Sequence, residues 1–391
     1  DELRRTPTED EMNSARSILV LAKAYPPIAG GVETYSEQVV RGYLARGFSV
    51  TVLTQIGTAK GWSERQYPEG SIRIFDTGPG NQAVVAMKLA REARRELSRG
   101  GYSFVHATTW RPAAAVLGGL GRTPLVVTIH GREIVKVPRW ATGAMCRILE
   151  RADVVIAVST ATLARAEHKL RRRSVRGRWE IAGNGLTFPE LARDSLPKSP
   201  RASVNFLTIA RLVERKNVRG SLRALAELRE SGRDDFEYSI AGTGPDRAKL
   251  QAEALSLGLE RHVRFLGYVS DEEIVQLYQQ CDVFVHPQIA TDEGADFEGF
   301  GIVIADAMSF GCVVVAGRDG GPRDFVQTGV TGMLVDGRNE EELRDALQML
   351  MRDETLRQAL GSRGRGFVLE HLAWSNHVGT ILTAIDQTVA A

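Results

Sequence analysis

The chain has 391 residues, a formal net charge of +2, 43% hydrophobic residues and 25% charged residues. That length exceeds one ordinary core and argues two domains, and the balanced composition is that of a globular protein. The small net charge gives no ground for a nucleic-acid partner, and Cys146, Cys281 and Cys312 stand too far apart for a disulfide framework or a metal knuckle, so a reducing, cytoplasmic setting fits.

Residues 1–16 are polar with mixed charge and lack the apolar stretch of a signal peptide, so a disordered leader is expected. No run approaches the roughly 18 apolar residues of a membrane span. SILVLAKAY (17–25) reads as a buried strand, ETYSEQVVRGYLARG (33–47) as an amphipathic helix stopped by glycine, and FSVTVLTQ (48–55) as the next strand. FVHAT, LVVTIH and VVIAVS continue the rhythm. Alternating strand and helix predicts a parallel sheet covered by helices.

HKLRRRSVRGRW (168–179) concentrates basic residues. The plain reading is a solvated helix end and loop. The sharper one is a patch for anionic lipid or an anionic acceptor, to which each cation adds about 1 kcal/mol. RWATGAMCRILERAD (139–153) reads as a helix facing the core. LARDSLPKSPRAS (191–203) is poor in apolar residues and reads as a linker. The rhythm then restarts with VNFLTIAR, FEYSIAG, VRFLGY, VFVHP, CVVVAG and GMLVD. The expectation is two facing doubly wound α/β domains, residues 17–193 and 194–372, with the C-terminal helix (about 373–391) joining the first. Ligands of such sheets bind beyond the strands' carboxyl ends, here also the expected cleft between domains.

Candidate site residues fall at those ends. In PPIAGGVE (26–33), Gly30 and Gly31 permit close backbone approach, and the following helix start suits phosphate; an ordinary tight turn explains them equally. His130 ends LVVTIH and is followed by Gly131, Arg132 and Glu133, which separates it from His106, His168, His262, His286, His371 and His377, read as structural or solvated. Arg211 and Lys216 in ARLVERKN follow a strand and can converge on a diphosphate, each charge-assisted bond contributing roughly 1.5–3 kcal/mol. Two solvated cations are the rival. Gly242 and Gly244 in AGTGPDR form a weak nucleotide-turn signal.

EGFGIVIAD (298–306) sets Glu298 in a loop and Asp306 inside the helix expected from Gly301. Between them Gly299, Phe300, Gly301 and Ile302 present the helix start to phosphate oxygens. A carboxylate suits a vicinal diol, because each oxygen accepts a separate O–H. GRDGGPRDF (317–325) adds another glycine pair, with Asp324 close by.

Together PPIAGGVE, TIHG, Asn184–Gly185, ARLVERKN, GTGP, EGFGIVIADAM and GGPRD resemble the retaining glycosyltransferases of family 4, which have the two-domain GT-B fold, from about Ser17 to the final helix. The resemblance implies transfer of a sugar from a nucleoside-diphosphate sugar with retention. Glu298 would bind the sugar hydroxyls and Asp306 the ribose. Arg211 and Lys216 would hold the diphosphate, the Gly30–Gly31 loop would close over it, and His130 would face the sugar. No metal or other cofactor is implied. The acceptor would be a glycan, a lipid-linked or a small molecule, and the site of action the cytoplasm or the inner face of the cell membrane. The family usually has glutamate where Asp306 and Asp324 stand, and often aspartate at Thr187.

Front-face departure, with the leaving diphosphate taking the acceptor's proton, is preferred to a covalent Glu298 intermediate. The rivals are a nucleotide-sugar epimerase or hydrolase, a non-catalytic sugar-nucleotide binder, and a metal-dependent transferase built on Asp292, Glu293, Asp296 and Glu298.

Overall fold

A computed structural model describes residues 17–28, 30–57, 60–170, 177–195 and 203–389. The leader 1–16, most of the linker and the arginines at 171–173 and 176 of the basic run lie outside the described residues. The chain forms two compact units. The first runs to Val158 and takes in Thr162–Asn184 and the chain from Trp374 onward; the second holds Ser159–Ala161 and Gly185–Ala373.

The first unit is built on β1 (Ser17–Leu21), β2 (Ser49–Thr54), β3 (Gly61–Tyr67), β4 (Gly70–Asp76), β5 (Tyr102–Ala107), β6 (Leu125–Ile129), β7 (Val154–Ala157) and β8 (Arg178–Ile181). Their order is β3-β4-β2-β1-β5-β6-β7-β8, parallel except for the antiparallel edge strand β3. Central strands such as β6 are buried at every residue, as a sheet covered on both faces requires. β3, β4 and β8 escaped the sequence reading. β3 is GWSERQY and β8 is RWEI, edge strands without an apolar run. β8 also turns the last part of the basic run, expected as a helix end and loop, into sheet. Helix α1 (Gly31–Leu44) follows β1 and buries Tyr35, Ser36, Val39, Val40 and Tyr43, a stripe at helical spacing. Helix α2 (Arg139–Arg151) buries Ala141, Met145, Cys146, Ile148 and Leu149.

The second unit contains β9 (Val204–Ile209), β10 (Phe236–Ala241), β11 (Val263–Gly267), β12 (Val283–His286), β13 (Val313–Gly317) and β14 (Met333–Val335). All are parallel, in the order β11-β10-β9-β12-β13-β14. Strand order reverses at β9, whose neighbours are β10 and β12. The loops leaving β9 and β12 therefore splay apart and open a crevice. Helix α3 (Ile302–Ser309) follows the long loop after β12.

The division between units falls at Asn184/Gly185, not at the expected 193/194. Residues 189–193 form a short helix belonging to the second unit, where Arg365 donates to the carbonyls of Ala192 (2.8 Å) and Arg193 (3.1 Å). The chain returns to the first unit as helix α4 (Trp374–Val389). It packs on α1 where Gly42 lacks a side chain: a Cβ there would lie 2.7 Å from Val378.

Candidate active site

In the second unit, β9 leads through Ala210 and Arg211 into a tight turn, Glu214–Lys216, closed by Asn217 in the left-handed region. This turn buries Lys216 and leaves Arg211 exposed, with no side-chain partner among the described residues. From β12 the loop brings Glu298 alongside. Its Oε2 receives a hydrogen bond from Arg215 Nη1 (2.8 Å) and another from Lys216 Nζ. Arg215 also pairs with Asp296 at 3.3 Å. Burial pushes the Glu298 carboxyl up, but the Lys216 and Arg215 charges outweigh it and hold the group well below the usual carboxylate range. Burial draws the Lys216 ammonium down from its ordinary value, against the pull of Glu298. Oε1 of Glu298 accepts no hydrogen bond from the described residues.

Lys216 is oriented from behind. Gln288 Oε1 accepts from the Gly317 N–H (3.1 Å) and from His286 Nδ1 (2.8 Å), so the proton of His286 sits on Nδ1. The bare Nε2 then accepts from Lys216 Nζ at 3.2 Å. Burial, with the Lys216 charge next, lowers the His286 imidazole to about 4, so it is neutral at pH 7. Two of the three Nζ hydrogens are thereby assigned. Arg215 and His286 are the members of this cluster that sequence reasoning missed. Their signal was position: one precedes Lys216, the other ends a strand, as His130 nearly does.

The loop carrying Glu298 is held by backbone against backbone. Glu298 bridges Gly320, and the Gly321 N–H donates to the Glu298 carbonyl at 2.9 Å. A Cβ on Gly320, where φ is +110°, would lie 2.2 Å from that carbonyl oxygen, and one on Gly321 2.3 Å from the Gly299 oxygen. The glycine pair before Asp324 is thus required by the Glu298 loop itself. Gly242 and Gly244 likewise fit against the carbonyls of Ala210 and Leu212, which explains them as packing of the β9 and β10 loops. Phe300 is buried against Phe325, ring centroids 5.1 Å apart, and anchors the loop. Gly301 starts α3 in the left-handed region without a side-chain cap, so the N–H groups of Ile302 and Val303 have no helical acceptor.

Asp306 departs from expectation. It is 3% exposed, and its Oδ1 accepts from the Thr187 N–H at 2.8 Å. Burial raises its carboxyl to about 7, the Thr187 bonds opposing the rise. Its carboxyl ties the entry of the second unit to α3 instead of reaching out for ribose. Thr187 and Asp306, two positions where the chain departs from the family pattern, are partners.

In the first unit, Gly31 begins α1, and a Cβ there would meet nothing within 4 Å, whereas one on Gly30 would meet the Glu33 carboxylate at 2.3 Å. His130 follows β6, half-buried. Its Nε2–H donates to the Thr108 carbonyl (2.8 Å), and its backbone N–H to Glu133 (2.5 Å). A carbonyl only accepts, so Nε2 carries a proton, and in the neutral ring Nδ1 is the acceptor left for an O–H group.

Among the described residues no group of three or more His, Cys, Asp or Glu side chains is placed to hold a metal ion. In the acidic loop proposed for a metal, Asp296 and Glu298 pair with Arg215 instead.

Residues 29–186 match the profile of Glycosyltransferase Family 4, and residues 197–367 that of Glycosyl transferases group 1. A GDP-mannose-dependent alpha-(1-6)-phosphatidylinositol monomannoside mannosyltransferase of Mycolicibacterium smegmatis is 30% identical over 382 residues, covering 91% of this chain and 95% of that protein. A D-inositol 3-phosphate glycosyltransferase of Corynebacterium diphtheriae is 27% identical, covering 85% of this chain and 84% of its own. Among solved structures, Anabaena Alr3699/HepE in complex with UDP superposes with a TM-score of 0.70 at 21% identity, covering 96% of this chain and 99% of its own. The sucrose-phosphate synthase of Thermosynechococcus elongatus gives 0.73 at 20%, with the same coverage. These likenesses agree with the two doubly wound sheets and the glycine-held carboxylate: the chain belongs to the family 4 glycosyltransferases, has their GT-B fold and is a sugar-transferring enzyme.

Proposed function

We propose that the chain transfers a mannosyl group from GDP-mannose to a hydroxyl of a phosphatidylinositol-type glycolipid, with retention and without a resident metal. The observation that carries this reading is Glu298, clamped on Oε2 by two cations and open on Oε1. A carboxylate so held is a poor nucleophile, because its charge is already drawn to Lys216 and Arg215. It is a good acceptor for sugar hydroxyls, and its position is rigid. Lys216, with one unassigned N–H, and the exposed Arg211 supply positive charge for a diphosphate, and the uncapped start of α3 supplies N–H groups. His130, through Nδ1, accepts from a hydroxyl of the reacting sugar.

In the step we propose, the bond from the anomeric carbon to the diphosphate oxygen breaks and its electron pair stays on that oxygen. The acceptor oxygen bonds to the anomeric carbon from the same face, and its proton passes to the departing diphosphate. Charge stabilisation of the diphosphate is the main catalytic contribution, and the protein's cations serve where a metal ion otherwise would.

The choice of donor and acceptor is supported by relatives named as GDP-mannose-dependent enzymes acting on phosphatidylinositol monomannoside in Mycolicibacterium smegmatis and Mycobacterium tuberculosis. A lipid acceptor calls for work at a membrane surface, and we place the enzyme at the cytoplasmic face. Among the described residues no helix is long and apolar enough to cross a membrane. The start of α2 instead presents Trp140, 86% exposed, beside exposed Arg139 and two turns before exposed Arg147 on the same face. An exposed indole among cations suits an anionic lipid interface.

The test is direct. The chain is incubated with GDP-mannose, GDP-glucose, UDP-glucose or UDP-galactose and vesicles carrying a mannosylated phosphatidylinositol, with and without a chelator. Expected is acceptor-dependent release of GDP, an α-linked product by the anomeric carbon–hydrogen coupling, and no loss with chelator. A β-linked product would overturn retention, and chelator-sensitive turnover the metal-free reading. Preference for a UDP-sugar would overturn the donor.

A further inference from the structure

The core of the first unit contains a row of polar side chains that the proposed chemistry does not use. Tyr43, His106, Thr128 and Tyr35 are wholly buried, and His377 is 1% exposed. Their proton order is fixed from one end. His377 Nδ1 lies 3.0 Å from the Gly183 carbonyl, which only accepts, so the proton is on Nδ1 and Nε2 is bare. Nε2 therefore accepts from the Tyr35 hydroxyl at 2.9 Å. The Tyr35 oxygen then accepts from the Thr128 hydroxyl at 2.7 Å, and Thr128 accepts from His106 Nε2–H at 2.8 Å. His106 Nδ1, left bare, accepts from the Tyr43 hydroxyl at 2.9 Å. Every donor points the same way, toward α4. Burial lowers the imidazoles of His106 and His377 to about 3 and about 4, in keeping with the neutral rings this order needs.

The row touches His130 at one place. The Tyr35 ring stands edge-on to the His130 ring, centroids 4.6 Å apart at 82°. Trp374 closes on the same tyrosine at 5.8 Å. The hydroxyl of Ser36, the next residue of α1, donates to the Val32 carbonyl at 2.8 Å and accepts from the Thr108 hydroxyl at 2.9 Å, and the carbonyl of that threonine holds His130 Nε2. The His130 ring is thus set from one side by Tyr35 and from the other by Thr108, both fixed through α1.

We propose that Tyr35 is a positioning residue for His130, its hydroxyl being the junction that locks α1, β6 and α4 into one hydrogen-bond chain. This rests on the reading that His130 serves the reacting sugar. The chain stops the tyrosine ring from rotating or withdrawing, and so keeps Nδ1 of His130 aimed outward. The signal in the sequence is a tyrosine four residues after Gly31 and a histidine in the last helix, neither intelligible without the other.

Two measurements test this. In steady-state transfer at saturating acceptor, Tyr35→Phe, which keeps the ring but removes the junction, is expected to lower kcat about fivefold with donor KM within twofold. Tyr35→Leu is expected to lower kcat about fiftyfold. His377→Leu should behave as Tyr35→Phe does. His377→Gln, whose amide can accept from Tyr35 and donate to Gly183, should recover wild-type kcat within twofold. Folded Tyr35→Phe and Tyr35→Leu proteins with wild-type kcat, losses confined to KM, or a His377→Gln as impaired as His377→Leu would each overturn the proposal. The second measurement needs no turnover. Long-range proton–nitrogen NMR of the imidazoles, with His130 assigned by His130→Gln, should show His130 as a single Nε2–H tautomer in the wild type and as exchanging tautomers in Tyr35→Leu. An unchanged His130 signal overturns the positioning role. If the wild type transfers no sugar yet His130 loses its fixed tautomer in Tyr35→Leu, the positioning role stands and the reading of His130 in catalysis fails.

Discussion

The two units each contain a row of buried polar groups, and the two rows are built on opposite principles. In the second unit the row runs from Gln288 through His286 and Lys216 to Glu298 and ends in a charge pair whose last oxygen is open. In the first unit the row from Tyr43 to His377 is neutral throughout and ends on a backbone carbonyl. A buried ion is tolerated only beside its counter-ion, and removing one partner strands the other at a cost of about 3–5 kcal/mol. A neutral row carries less at each link but has no loose end. One row ends on an open acceptor, the other closes on the backbone.

The largest effect should come from the charged row. Glu298→Gln preserves shape but leaves Lys216 and Arg215 without their carboxylate, and turnover should fall at least a hundredfold, about 2.7 kcal/mol in the barrier. The folded state should survive, as circular dichroism would report. Near-normal turnover at saturating donor would erase the distinction between the rows.

The neutral row should announce itself through pH. An unfolded chain titrates its histidines near 6.5, while His106 and His377 in the fold sit at about 3 and about 4. As pH falls below about 6.5 the unfolded chain takes up protons that the fold refuses, so stability drops until the folded values are reached. Each histidine contributes about 1.4 kcal/mol per pH unit in that window. Urea unfolding followed between pH 7 and 5 should show the midpoint falling, with a shallower slope in His377→Gln. Equal slopes in the two proteins would mean that His377 is not held neutral.

Arg211→Ala tests a cation standing outside both rows. Among the described residues it has no side-chain partner to strand, so only donor affinity should suffer, about tenfold in KM, with unchanged melting temperature. A lower melting temperature would show that Arg211 has a structural role.

Asp306 supplies an effect of the opposite sign. Its folded value of about 7 lies above the ordinary 3.8, so the stability it contributes is full below about 4 and is lost as pH rises through 7. Asp306→Asn can keep the Thr187 bond without a charge. It should raise the melting temperature at pH 8 and leave it unchanged at pH 4. A lower melting temperature at pH 8 would reverse the assignment.

Much of this architecture was legible in the sequence, and the parts that were not share a physical cause. Buried strands such as β6 and β12 announce themselves by β-branched runs, whereas β3 and β8 lie at sheet edges, where polar residues are tolerated. Glu298, Lys216 and His130 could be singled out in the sequence because each follows a strand. Arg215 and His286 were passed over because a cation beside a cation, or a histidine ending a strand, is ordinary until the fold shows what it faces. Asp306 was misread because periodicity places a residue on a helix without saying which loop crosses it.

The return of α4 to the first unit has a consequence for synthesis. The second unit, apart from Ser159–Ala161, is one continuous stretch that leaves the ribosome before Trp374 and His377 do. Until those two residues emerge, the Tyr35 hydroxyl lacks its His377 acceptor, and the face of α1 that meets Val378 stands open to water. The growing chain therefore completes its units in the reverse of their order in the sequence. A nascent chain stalled before residue 374 should resist protease in the second unit while remaining cleavable in the first.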